Sequence, residues 1–115
     1  NRKILIVDDE TDLCMLLKDY FVRKNYEVIV SHTLTEGKHF LKSGDPGILF
    51  LDNNLPDGEG WKDAPVIAKE FPEVYIVLIS AFHSAPPVMP DNSQYHKIKK
   101  PIRFSDLDKE FSDLL

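Results

Sequence analysis

The chain has a single cysteine, Cys14, so no disulfide can form within it, and this usage suits a reducing compartment. No apolar run approaches the ~20 residues needed to span a bilayer, which excludes a membrane-spanning role. No secretory leader is visible, although a chain that starts at Asn1 rather than Met weakens that negative. Basic residues are in deficit, with 14 Lys and Arg against 19 Asp and Glu and a net charge of −5. That balance argues against direct nucleic-acid binding by this domain, and it is silent on any domain beyond Leu115. The four histidines, His32, His39, His83 and His96, lack metal-ligand spacing. There is no repeat, linker or low-complexity tract. What remains is an ordinary globular balance over 115 residues, 43 % hydrophobic and 29 % charged, which predicts one cytoplasmic domain spanning 1–115.

Short continuous apolar runs dominate the pattern. Ile4 to Val7 stops at Asp8, Ile48 to Leu51 stops at Asp52, and Val74 to Ile79 stops at Ser80. Runs of this kind mark strands covered on both faces, as in parallel sheets. Tyr26 to Val30 and His96 to Lys99 are more polar and read as edge strands. Between them lie helical patterns: an apolar stripe from Leu13 to Phe21, and a capping box at Thr33 and Glu36 opening a helix that Gly44 can close. A short helix capped by Asp63, with Pro65 in its first turn, and a last helix opened by Ser105 and Asp108 complete the set. Alternation of this kind predicts an α/β, flavodoxin-like three-layer sandwich with a five-stranded parallel sheet of order 2-1-3-4-5. Pro86, Pro87 and Pro90 oppose a regular helix between the fourth and fifth strands, so that helix is expected to be missing or irregular.

In an open parallel sheet, ligands bind outside the carboxyl ends of the strands. The residues that end the strands are Asp8 and Asp9, Asp52, Ser80 and Lys100. Three crowded carboxylates repel unless a cation sits among them or one is protonated. Oxygen-only ligands suit Mg²⁺ or Mn²⁺. One divalent ion and one lysine then offset three Asp, and the site can receive a phosphoryl group of roughly −1.5 to −2 charge. Asp52 would be the nucleophile, with Lys100 and the Ser80 hydroxyl on the phosphoryl oxygens. Each residue also has a plain structural reading. Asp8-Asp9-Glu10 taken alone is better read as a cap on the first helix, Ser80 as a loop hydroxyl, Lys100 as a solvated lysine and Cys14 as a small packed residue. Asp52 resists such a reading, because an acid after four buried apolar residues must have a partner.

The segments KILIVDDE (Lys3 to Glu10), LFLDNNLPDGEG (Leu49 to Gly60), VLISA (Val77 to Ala81) and KKP (Lys99 to Pro101) resemble the receiver domain of response regulators, and the likeness covers nearly the whole chain. The resemblance implies that Asp52 is the phosphoacceptor and that Asp9 ligates the metal directly. It implies that Asp8 holds the metal through water and that the main-chain carbonyl of Asn54 completes the ligands. Ser80 becomes the switch hydroxyl, Lys100 the partner of the phosphoryl group, and Lys100–Pro101 a cis bond. The implied partners are a sensor histidine kinase or phosphotransfer protein and an effector domain or protein, in a two-component system. Two features depart from the family. The prolines oppose a regular fourth helix, and Lys97 stands where the family places an aromatic residue; Tyr95, on the same strand face, is the candidate substitute in the switch.

Three other functions compete. A pseudo-receiver would keep the fold as a protein-binding module without using phosphate. A phosphatase of the haloacid-dehalogenase type wants Asp-x-Asp, which Asp52-Asn53-Asn54 lacks. A flavodoxin needs a hydroxyl- and glycine-rich loop where Asp8-Asp9-Glu10 would repel phosphate. The domain is therefore expected to be no enzyme beyond assisting its own phosphorylation and dephosphorylation.

Overall fold

The computed structural model describes residues 1–82 and 84–112. Five parallel strands form the main sheet: β1 (Lys3–Val7), β2 (Glu27–Ser31), β3 (Ile48–Asp52), β6 (Tyr75–Ser80) and β7 (Tyr95–Lys99), in the order β2-β1-β3-β6-β7. Counting only these long strands, the order is 2-1-3-4-5. The remaining two, β4 (Asn54–Leu55) and β5 (Gly58–Glu59), make a small antiparallel ribbon after β3. The helices among the described residues are α1 (Thr11–Val22), α2 (Leu34–Gly44), α3 (Gly60–Glu70) and α4 (Phe104–Phe111).

Strand alternation divides the core between the two faces of the sheet. Ile4, Ile6, Phe50, Val77 and Ile79 pack with Leu17 and Phe21 of α1 and Leu107 and Phe111 of α4. Leu5, Val7, Leu49, Leu51 and Leu78 pack with Leu34 and Leu41 of α2 and Trp61, Ala64 and Ile67 of α3. β3 is buried at every residue, and the two edge strands are the polar ones, as expected. The carboxyl ends of β1, β3 and β6 therefore stay side by side, fixed by packing above and below.

The helix boundaries depart from the sequence reading where caps are not local. α3 begins at Gly60, before Asp63, because Asn53 caps it from across the ribbon: its carbonyl accepts from Gly60 N (3.0 Å) and its Oδ1 from Trp61 N (3.2 Å). Asp63 is free to pair with Lys38 instead, at 2.8 Å, and Pro65 falls inside the helix. α4 starts before Ser105, with Asp106 Oδ2 accepting from Arg103 N at 2.8 Å. Thr33 does cap α2, accepting from Glu36 N, but the left-handed residue that ends the helix is Asp45 and not Gly44. From Ala81 to Gln94 the described residues form no helix, and Met89 alone reaches back to the core. The expectation for His83 lies outside the described residues.

Candidate functional site

Asp8, Asp9, Asp52, Ser80 and Lys100 meet at the carboxyl edge of the sheet. Asp8 and Asp52 are 0 % and 3 % exposed, while Asp9 is open to solvent. One carboxylate oxygen from each of the three acids lies within 4.8 Å of the others. Lys100 Nζ stands 2.9 Å from Asp8 Oδ2, 2.7 Å from Glu10 Oε1 and 3.4 Å from Asp52 Oδ1. The helix-cap reading of Asp8-Asp9-Glu10 does not hold: Glu10 makes no cap bond to α1 and reaches Lys100 instead. Asp8 Oδ1 accepts from Glu10 N at 2.8 Å.

The electrostatics are those of an undercompensated acid cluster. Burial raises the pKa of Asp8, and burial together with the charge of Asp8 pushes Asp52 up to about 6. Burial works against the charge of Lys100, but Glu10, Asp8 and Asp52 outweigh it and hold the ammonium above its ordinary pKa. One cation thus serves three acids. Asp8 Oδ2 is buried and close to Lys100 yet accepts no aligned hydrogen bond. An all-oxygen set in which that buried carboxylate oxygen has only the Lys100 ion pair fits a hard divalent cation. Ser80 is buried, its Oγ accepting from Phe82 N at 3.1 Å. Cys14 packs beneath, its thiol donating to the Asp8 carbonyl, and burial pushes its pKa up to about 12, so it is no nucleophile.

The loop after Asp52 is held by contacts that no local pattern announces. Trp61 Nε1 donates to the Leu51 carbonyl at 3.1 Å, beside Asp52. Gly60 sits against β3 so closely that a Cβ there would lie 2.2 Å from the Asp52 carbonyl oxygen. Asp57 ties the ribbon to α2: its carboxylate accepts from Leu34 N, Thr35 N and Thr35 Oγ1 at 2.7 to 2.9 Å, and the Thr35 and Leu34 amides draw its pKa down to about 2. Asn54, in β4, stands opposite Glu59 two residues past Asp52. Tyr95 is the one candidate left apart. It pairs in register with Ile76, whereas Ser80 pairs with Lys99, so Tyr95 lies at the far end of the strand. Lys100–Pro101 is cis.

Comparison with known proteins agrees with this geometry. Response regulator protein TrrA of Thermotoga maritima, solved in complex with Mg²⁺-BeF, is 26 % identical, covers the whole of both chains and superposes with a TM-score of 0.83. A CheY-like receiver domain protein of Methanospirillum hungatei has the same TM-score, 0.83, at 24 % identity over 98 % of this chain and 92 % of the other. In sequence, the photosynthetic apparatus regulatory protein RegA of Rhodobacter capsulatus is 23 % identical over 82 residues, 71 % of this chain and 45 % of its own length. The alkaline phosphatase synthesis transcriptional regulatory protein PhoP of Bacillus subtilis is 38 % identical over 63 residues, 52 % of this chain and 25 % of its own. The chain spans less than half the length of these curated relatives. The model of the response regulator receiver domain matches residues 4–111, so the acid-rich sheet edge and the 2-1-3-4-5 sheet have one source: the chain belongs to the response regulator receiver domain family.

Proposed function

We propose that this domain takes a phosphoryl group on Asp52 from a histidine kinase or phosphotransfer protein and passes the signal to an effector domain or protein. The observation that carries this reading is a buried Asp52 between two further acids and a shared lysine. Asp8, Asp9, Asp52 and the Asn54 carbonyl would hold Mg²⁺ or Mn²⁺, which when bound supplies the positive charge that three carboxylates and a phosphoryl group require. An Asp52 oxygen forms the new P–O bond while the bond from phosphorus to the donor's imidazole nitrogen breaks, and that nitrogen leaves with its electron pair. With a pKa near 6, Asp52 is mostly ionised at neutral pH and available as nucleophile. Lys100, already 3.4 Å from Asp52, needs only a short swing toward a phosphoryl oxygen. The Ser80 hydroxyl, which can donate as well as accept, takes another oxygen by turning. Beyond this self-modification the domain is no enzyme. A cytoplasmic site follows from the donor this chemistry needs.

A second reading, a pseudo-receiver that binds partners without phosphate, is favoured by the separation of Tyr95 from Ser80 and by the absence of a helix between β6 and β7 among the described residues. Beryllofluoride with Mg²⁺, the pair present in the TrrA structure, separates the two. A ligand at one hundred times its Kd stabilises by about 2.7 kcal/mol, which should raise Tm by about 11 °C for a chain of this size. With Mg²⁺ held constant, the rise on adding beryllofluoride is expected in the wild type and not in Asp52→Ala. No rise in the wild type would favour the pseudo-receiver.

A further inference from the structure

We infer that Lys97 holds the switch of this domain in its resting arrangement: its ammonium ties the segment after β6 to β7, and capture of the Ser80 hydroxyl by a phosphoryl group works against that tie. The role rests on the phosphorylation of Asp52 proposed above. Three hydrogen bonds run in series from the site to β7. Ser80 Oγ accepts from Phe82 N at 3.1 Å. The Phe82 carbonyl accepts from Ser84 N at 2.9 Å. The Ser84 carbonyl accepts from Lys97 Nζ at 3.1 Å. Both ends of the series are set by the sheet, where Ser80 stands opposite Lys99 and Lys97 opposite Leu78.

The plain alternative is an edge-strand lysine that only blocks unwanted pairing and meets the loop by chance. Two observations weigh against it. The side chains of Phe82 and Val88 are 67 % and 93 % exposed, so neither large apolar residue described before Met89 anchors the segment. Tyr95, the aromatic candidate, lies opposite Ile76, farther still from Ser80. Lys97 is thus the residue of β7 that grips the segment by its side chain close to the site.

The sign of the effect follows from the bonds. To meet a phosphoryl oxygen on Asp52, the Ser80 hydroxyl turns and gives up Phe82 N. Phe82 and Ser84 must then re-seat, and Lys97 opposes this by holding the Ser84 carbonyl to β7. The tie therefore favours the unphosphorylated arrangement. A ligand that binds only a fraction f of the population has an apparent Kd of Kd/f, and cutting the tie raises f. The charge of Lys97 acts in the opposite sense, since loss of a nearby cation weakens the binding of an anion.

The test titrates beryllofluoride at constant Mg²⁺ into the full chain as wild type, Lys97→Met and Lys97→Arg, with binding read from amide cross-peaks. Hydrogen exchange of the Phe82 amide is measured in the same proteins without beryllofluoride. In Lys97→Met the apparent Kd should fall by a factor of ~3 or more and the exchange rate should rise by the same factor, because both scale with f. Lys97→Arg keeps a donor for the Ser84 carbonyl and should behave as the wild type does. An unchanged or raised Kd in Lys97→Met, faster exchange without tighter binding, or equal tightening in Lys97→Arg would each overturn the inference and leave phosphorylation of Asp52 standing. A wild type that does not bind beryllofluoride would overturn the phosphorylation reading, and the inference with it.

Discussion

Gly60→Ala should destabilise the domain by at least ~3 kcal/mol, at the upper end of the cost of forcing extra atoms into a packed site. The added methyl would sit 2.2 Å from the Asp52 carbonyl oxygen and 3.0 Å from Leu51 Cδ1. Neither atom can retreat, because β3 is the central strand and is gripped by β1 and β6. Nor can α3 shift outward without breaking the Asn53 bonds to Gly60 N and Trp61 N and the Trp61 bond to Leu51. The same displacement would move Asp52 itself, so metal response should fall along with stability. Urea denaturation followed by Trp61 fluorescence measures the loss. A cost below ~1 kcal/mol would mean that the α3 start adapts freely and that the Asp52 loop is not rigidly set by it.

Asp52→Asn, by contrast, should stabilise the metal-free protein at pH 7 by on the order of 2 kcal/mol. The carboxyl of Asp52 has a pKa near 6 in the fold, raised by burial and by Asp8, against roughly 3.9 in an unfolded chain. Between those values the folded state binds the extra proton. Stability therefore falls as pH rises from about 4 to 6 and stays reduced above. The neutral amide removes that penalty. The advantage should shrink as pH drops and vanish below about 4, where the wild-type carboxyl is neutral in both states. Saturating Mg²⁺ should reverse the ranking at pH 7, because only the wild type offers all three carboxylates. Chemical denaturation of both proteins at pH 4, 5, 6 and 7 separates the cases. A variant less stable than wild type at pH 7 without metal would show that Lys100 already neutralises the cluster.

The sheet was legible because a strand covered on both faces must be apolar at every position. Ile48 to Leu51 announces β3 without ambiguity, and the mixed composition of β2 and β7 marks them as edges. Asp8, Asp52 and Ser80 were legible for a related reason: a polar residue that ends such a run is pinned at the carboxyl edge, with Asp9 beside Asp8 and Lys100 at the end of the polar fifth strand. What escaped was non-local. The cap of α3 is Asn53, across a ribbon from Gly60, and Asp63 therefore misled the boundary. The role of Asp57 on the α2 amides spans more than twenty residues of chain, and no local pattern signals it. Glu10 reaches Lys100 across 90 positions. Tyr95 shares a strand face with Lys97 and Lys99, but alternation says nothing about distance along the strand, and register puts it opposite Ile76. Among the described residues no helix stands between β6 and β7, in line with the expectation of a missing or irregular fourth helix, since proline acts through its own ring and needs no tertiary partner.

Phosphoryl transfer to Asp52 is tested most directly by intact mass after incubation with a small acyl-phosphate donor, with and without Mg²⁺. A single phosphoryl adduct is expected on the wild type with Mg²⁺. It should be absent in chelator, reduced in Lys100→Ala and lost in Asp52→Ala. An adduct of wild-type yield on Asp52→Ala, or none on the wild type with Mg²⁺ present, would contradict the assignment of Asp52 as phosphoacceptor.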